Sequence, residues 1–415
     1  MLFLAVQAAA IDTIAREALA SYRAPGAAIA VVRDGRVVRV SGFGTRDCAG
    51  GPAPGPHTRF EIGSLTKQFV ATLAMQFADE RRIDLDARVT TYVPEERAWR
   101  GISVRELLDQ RSGITDFNGG WFLARHLGAV WPGHVDRAGL LAGLEAEPLT
   151  FPADARFDYS NANYLMLGAI LERVSKRDLG SLLHDRILGP LGLADTGLGI
   201  ASGGDATSGC GTTPWGVARV PSFDPELTWA AGGMYSSASD MARFEIALLD
   251  ARLFTVARLR EMFAARDGYG FAWFVYPNGP DRIAWHDGTV YGYKAAVVAI
   301  PARHDVVVVL ANANYFHAAR VATQVADLAF GTSMPVAEGF DPVLPQWSLA
   351  IGGLSGLCAI GAAILRRRRM IVGIAGGIAA YCAASLAWPA AIAIAVVTIA
   401  IVLGWPWRKR QRVRS

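Results

Sequence analysis

Lysine is scarce in this chain. Of 41 basic residues only Lys67, Lys176, Lys294 and Lys409 are lysines; arginine supplies the rest. Cysteine is scarce too, with four in 415 residues: Cys48, Cys210, Cys358 and Cys382. None forms a Cys-x-x-Cys pair or joins a histidine cluster, so the sequence offers no zinc-ligand set and no metal is expected. Cys358 and Cys382 fall in apolar tail segments. Cys48 and Cys210 form one disulfide outside the cytoplasm or remain two unpaired thiols; sequence leaves both open. Acid is missing altogether from Trp347 to Ser415, where nine basic residues stand. Outside that tail 32 basic residues face 37 acidic ones. The overall charge of +4 is therefore a membrane-topology signal, and no basic face for nucleic acid is called for. Internal repeats are absent as well.

What the tail does contain is apolar. Residues 347–365 make a helix of about 28 Å, enough for a ~30 Å hydrocarbon core. Residues 370–405 are too long for one span and are broken at Trp388-Pro389, which gives spans at 370–387 and 389–405. Trp347, Trp388 and Trp405 fall at the expected interfaces. Three crossings put Arg366–Arg369 and the basic tail 406–415 on one side, the cytoplasmic one. The domain at 11–340 then lies extracytoplasmic, on what is expected to be a bacterial inner membrane, with the lipid bilayer as a partner. Residues 1–10 read either as the remnant of a signal peptide or as the first turn of a helix through Leu19.

Residues 11–330 hold strand signals near both ends and helix signals between. Ala27–Val32 and Arg36–Val40 flank a turn at Arg33-Asp34-Gly35. Ile283–Trp285, Ala295–Ile300 and Val306–Leu310 are strand-like, and Tyr315–Phe330 is helical. Ser103-Val104-Arg105-Glu106 reads as a capping box opening a helix that ends at Ser112-Gly113, and Ser237–Asp240 opens a helix to Leu249. The economical arrangement is a mixed α and β fold. One antiparallel sheet is built from both ends and flanked by helices, with a largely helical insertion beside it and a cleft between them.

The chemistry begins at Glu61–Val70. Leu65, Phe69, Leu73 and Phe77 recur every four residues, so the run is a buried helix. Ser64 sits near its N-terminus, where free N–H groups favour a developing anion. Lys67 lies one turn on, within reach of the serine hydroxyl. In a chain that otherwise uses arginine, a buried lysine is informative, because only lysine can be tuned to act as a base. Further on, Tyr159 and Asn161 share a face of an extended stretch. His286-Asp287-Gly288-Thr289 continues from a strand, with Gly288 allowing close backbone approach.

Ser-x-x-Lys, Tyr-x-Asn and His-x-Gly, in this order, resemble the penicillin-recognising serine hydrolases, in particular the class C β-lactamase-related family. The likeness spans roughly residues 11–330. It includes Arg111-Ser112-Gly113-Ile114, Asn163–Leu167 and Ala230-Ala231-Gly232-Gly233-Met234. It implies a β-lactamase/DD-peptidase-like fold and an acyl-enzyme mechanism without a metal or organic cofactor. Ser64 is then the nucleophile and Lys67 helps to deprotonate it. Tyr159 is general base and then proton donor, and Asn161 holds the acyl side. The backbone N–H groups of Ser64 and Thr289 form the oxyanion hole beside Gly288. His286 occupies the position filled by lysine in β-lactamases, which resembles the peptidase and esterase branches. A carboxylate at Asp287, if it points into the cleft, repels an anionic substrate end. The resulting expectation is a membrane-anchored serine hydrolase cleaving an ester or amide of esterase or D-amino-acid peptidase type. The alternatives are a β-lactamase or D-Ala-D-Ala carboxypeptidase acting on cell-wall peptides, and a covalent sensor with slow deacylation.

Overall fold

The computed structural model describes residues 2–117, 137–213, 216–222, 224–279 and 281–334, all within one compact unit. The spans expected at 347–365, 370–387 and 389–405 lie outside the described residues. Among the described residues no helix is long and apolar enough to cross a membrane.

Both ends of the unit build one antiparallel sheet. Its order is β2-β1-β11-β10-β9-β8, formed by β1 (Gly26–Arg33), β2 (Arg36–Gly44), β8 (Phe274–Asn278), β9 (Asp281–Val290), β10 (Tyr293–Ile300) and β11 (Asp305–Ala311). The Asp34-Gly35 turn joins β1 to β2, as the sequence predicts. Gly35 takes φ +70° there, a conformation that suits glycine. β11 reads Asp-Val-Val-Val-Val-Leu-Ala and is buried along its whole length. Such a continuous apolar run fits a strand covered on both faces.

The two covers are different. On one face lie α1 (Leu2–Tyr22) and α8 (Ala318–Phe330), whose apolar residues meet Ile29, Val307 and Val309. Helix α1 is continuous through the residues that the sequence left open between leader remnant and helix. On the other face lies the larger core, which contains α2 (Thr66–Asp79), α5 (Asn161–Ser175) and α7 (Ala238–Leu249). Leu65, Phe69, Leu73 and Phe77 are all fully buried in it, and Phe69 stacks on Phe244 with centroids 3.9 Å apart. The four-residue spacing thus marked the face it was read to mark.

Some boundaries differ from expectation. The capping box at Ser103 and Glu106 forms with both of its hydrogen bonds, but the helix it opens, α3 (Val104–Leu108), ends at Leu108, not at Ser112. Gln110, at φ +62°, has turned the chain out of the helix. Strand β9 extends well past the predicted Trp285 and carries His286 to Val290 within it. Helix α8 begins at Ala318, not Tyr315. Strand β3 (Arg59–Glu61), which pairs with β7 (Met234–Ser237), and strand β8 have no counterpart in the sequence reading. Cys48 and Cys210 are joined, with Cα atoms 5.6 Å apart.

Candidate active site

Ser64 lies in a 3-10 turn, Gly63–Leu65, that leads straight into α2. It is the only partly exposed residue in the run Glu61–Val70, which leaves its hydroxyl open to a reagent. One turn later Lys67 is fully buried. Its Nζ donates to Ser64 Oγ at 3.0 Å, to Asn161 Oδ1 at 2.8 Å and to the Ala231 carbonyl at 2.7 Å. That carbonyl belongs to α6 (Pro225–Gly232), which is kinked at Trp229, with φ 27° and ψ −112°. Three acceptors fix the amine, yet burial lowers its pKa to about 7, with Asp116 and Asp287 working in the opposite direction. A neutral amine is thereby within reach at physiological pH.

Tyr159 ends the loop before α5, and its ring centroid lies 4.9 Å from Lys67 Nζ. Its hydroxyl is buried and has no hydrogen-bond partner of ordinary geometry. Burial raises its pKa well above 10 and Tyr269 adds to the rise, while the nearby Ser64 hydroxyl lowers it somewhat. The phenol is therefore protonated at neutral pH. Asn161 opens α5, and its side chain bridges Lys67 to Asp116, whose carboxylate accepts Nδ2 at 3.3 Å and the backbone N–H at 3.2 Å. Asp116 is a site residue that the sequence reading missed, since an aspartate in a loop carries no signal of its own.

Two glycines bring the third segment to the serine. A Cβ on Gly288 meets the Ile62 carbonyl oxygen at 1.9 Å, and one on Gly63, at φ +52°, meets Thr289 N at 2.6 Å. Only bare backbone fits between β9 and the serine turn, which sets Thr289 N–H beside Ser64.

His286 packs beside this group, its ring centroid 6.0 Å from that of Tyr159. It is 1% exposed. Its Nδ1 lies 2.6 Å from the Asp287 carbonyl and its Nε2 lies 3.2 Å from Tyr269 Oη. Burial, helped by Lys67, lowers its pKa to about 3. A neutral ring satisfies both contacts: Nδ1–H donates to the carbonyl and Nε2 accepts from the tyrosine. His286 thus serves as a packed, hydrogen-bonded support, and its ring nitrogens are occupied by protein groups. The condition for Asp287 to repel substrate, a side chain pointing into the cleft, is not met, although its charge still acts on Lys67. Asp287 pairs with Ala296 on the opposite face of the sheet. There it lines a crevice with Lys294, Phe316, His317 and Arg320.

Comparison with known proteins agrees with this picture. A family model described as Beta-lactamase matches residues 11–330. The putative penicillin-binding protein PbpX of Bacillus subtilis (strain 168) is 28% identical over 252 residues, 60% of this chain and 61% of the relative. Protein flp of Staphylococcus aureus (strain MW2) is 27% identical over 321 residues, 73% of this chain and 63% of the relative. The chain thus spans about three fifths of the length of these curated relatives. Among solved structures, the D-stereospecific amidohydrolase from Streptomyces sp. is 25% identical with a TM-score of 0.66, covering 77% of this chain and 99% of that one. The octameric penicillin-binding protein homologue from Pyrococcus abyssi has 24% identity and a TM-score of 0.69, covering 78% and 77%.

Proposed function

The chain belongs to the beta-lactamase family and is a serine hydrolase, and on that premise we propose that it cleaves esters or amides with a neutral or cationic acyl part, of the D-amino-acid kind. The contact that carries this reading is the 3.0 Å bond from a fully buried Lys67 amine to Ser64 Oγ. Neutral Lys67 takes the Ser64 proton as Oγ attacks the carbonyl carbon. The oxyanion is received by the N–H groups of Ser64 and Thr289. Tyr159, held as a phenol by its burial, passes its proton to the leaving group and is reprotonated from Lys67. This order departs from the family expectation of Tyr159 as the first base, because desolvation favours the neutral phenol and the neutral amine alike. Water then repeats the attack on the acyl-serine.

Charge and shape support the substrate class. His286, whose pKa burial lowers to about 3, is neutral where a lysine would attract a carboxylate. Phe157, Tyr269 and Phe274 form an aromatic wall around Tyr159, with Phe157 and Tyr269 centroids 5.2 Å apart. The test is turnover by the purified full-length protein of p-nitrophenyl butyrate, a D-amino-acid amide and benzylpenicillin. We expect ester and amide hydrolysis, slow penicillin turnover, and loss of acylation in Ser64→Ala. Most activity surviving in Ser64→Ala, or efficient penicillin turnover with poor ester turnover, overturns it.

The same reading places the domain outside a membrane crossed three times by residues 347–405. The acid-free tail and its two arginine clusters support this, as does a Cys48–Cys210 disulfide suited to an oxidising compartment. Alkaline-phosphatase and fluorescent-protein fusions after Asp341 and after Ser415 are expected to report opposite sides. Equal sidedness rules out three spans.

A further inference from the structure

On the reading of Tyr159 as proton donor, we propose that Gln110 is the positioning residue that sets the phenol against Lys67. Gln110 is fully buried and sits at φ +62°, a conformation uncommon outside glycine. Such backbone persists only where its surroundings over-determine it. Here those surroundings are the Tyr159 loop. The Gln110 carbonyl accepts the Asp158 N–H at 2.9 Å. Its side-chain Oε1 accepts the Ser160 N–H at 3.0 Å and also the Asn163 amide. One residue thus grips the backbone on both sides of Tyr159. Tyr159 Oη has no ordinary hydrogen bond of its own, so the grip on its backbone acts together with the packing of its ring to aim it.

Gln110→Asn tests this without threatening the fold, since asparagine tolerates positive φ better than glutamine while its amide falls one methylene short. With full-length protein and p-nitrophenyl butyrate we expect kcat to fall on the order of 10-fold or more. KM should stay within about 2-fold and a cooperative thermal melt should be retained. In a Tyr159→Phe background the same change should cost less than about 2-fold, because its effect passes through Tyr159. Gln110→Met, which keeps the length and loses the acceptor, should behave alike. Wild-type kcat in Gln110→Asn, or an equal loss in both backgrounds, makes Gln110 a packing residue and overturns the proposal. Labelling of Ser64 by a fluorophosphonate is read in parallel. A wild-type protein that is not labelled, or a Ser64→Ala protein that still turns over, refutes the underlying reading instead.

Discussion

At the scale of the residue, Lys67 carries the most specific consequence. Its pKa is held at about 7, down from 10.5, chiefly by burial. On the proposed mechanism the working form is the neutral amine, which dominates above that value. The expected kcat/KM therefore rises with pH through a midpoint near 7, and the limb reports the free enzyme. Lys67→Arg keeps the charge and removes the neutral form, so a loss on the order of 10²-fold or more is expected. Kinetics across pH 5–9 check both statements; an arginine variant matching wild type at pH 7.5 would leave Lys67 only a packing or electrostatic role. Much of this was legible beforehand. A lysine three residues after a serine, inside a run of buried apolar residues, announced its chemistry. Asp116, Gln110 and Tyr269 did not, because each reaches the site through loop geometry. An aspartate, a glutamine and a tyrosine in irregular segments are unremarkable until their neighbours are known.

At the scale of the element, the deciding contact is β9 against the serine turn. Gly288 leaves no room for a methyl group beside the Ile62 carbonyl. Gly288→Ala is expected to push β9 from the turn, move Thr289 N–H off the oxyanion, and lower kcat by about 10²–10³-fold, the scale of one lost donor. Steady-state kinetics and a thermal melt check this. A variant that folds and retains wild-type kcat would show that the Thr289 donor is dispensable. Elements with a clear helical period or a continuous apolar run were read correctly from sequence: α2, α7, β1, β10 and β11. The misses have physical causes. β3 spans three residues, too few for any alternation to register. β9 lacks alternation in hydropathy across His286-Asp287-Gly288-Thr289, so it was cut short. The capping box fixed where α3 starts, but its end depended on a positive φ at a glutamine, which no local preference foretells.

Across the whole molecule, the Cys48–Cys210 link spans 162 positions and ties the loop after β2 to β5 (Cys210–Thr213), a short strand beyond the helical middle of the chain. Closing so long a loop limits the unfolded chain, and removing such a bridge costs about 2–5 kcal/mol. Cys210→Ser, or wild type in dithiothreitol, is expected to be less stable by that amount in denaturant unfolding, with a lower midpoint. Equal midpoints with and without reductant would show that the bridge contributes nothing.

The closure of the sheet from both ends also sets a clock on biogenesis. Gly26 N–H donates to Asn312 Oδ1, a partner 286 positions away, and β1 pairs along its length with β11. A ribosome adds roughly 5–20 residues each second. The Ala-Ile-Ala-Val-Val segment of β1 therefore waits on the order of tens of seconds for the neighbour that covers it. During that interval the nascent chain owns an adhesive, half-paired edge and cannot lock shut. Such a polypeptide remains threadable until almost all of its catalytic domain has been translated.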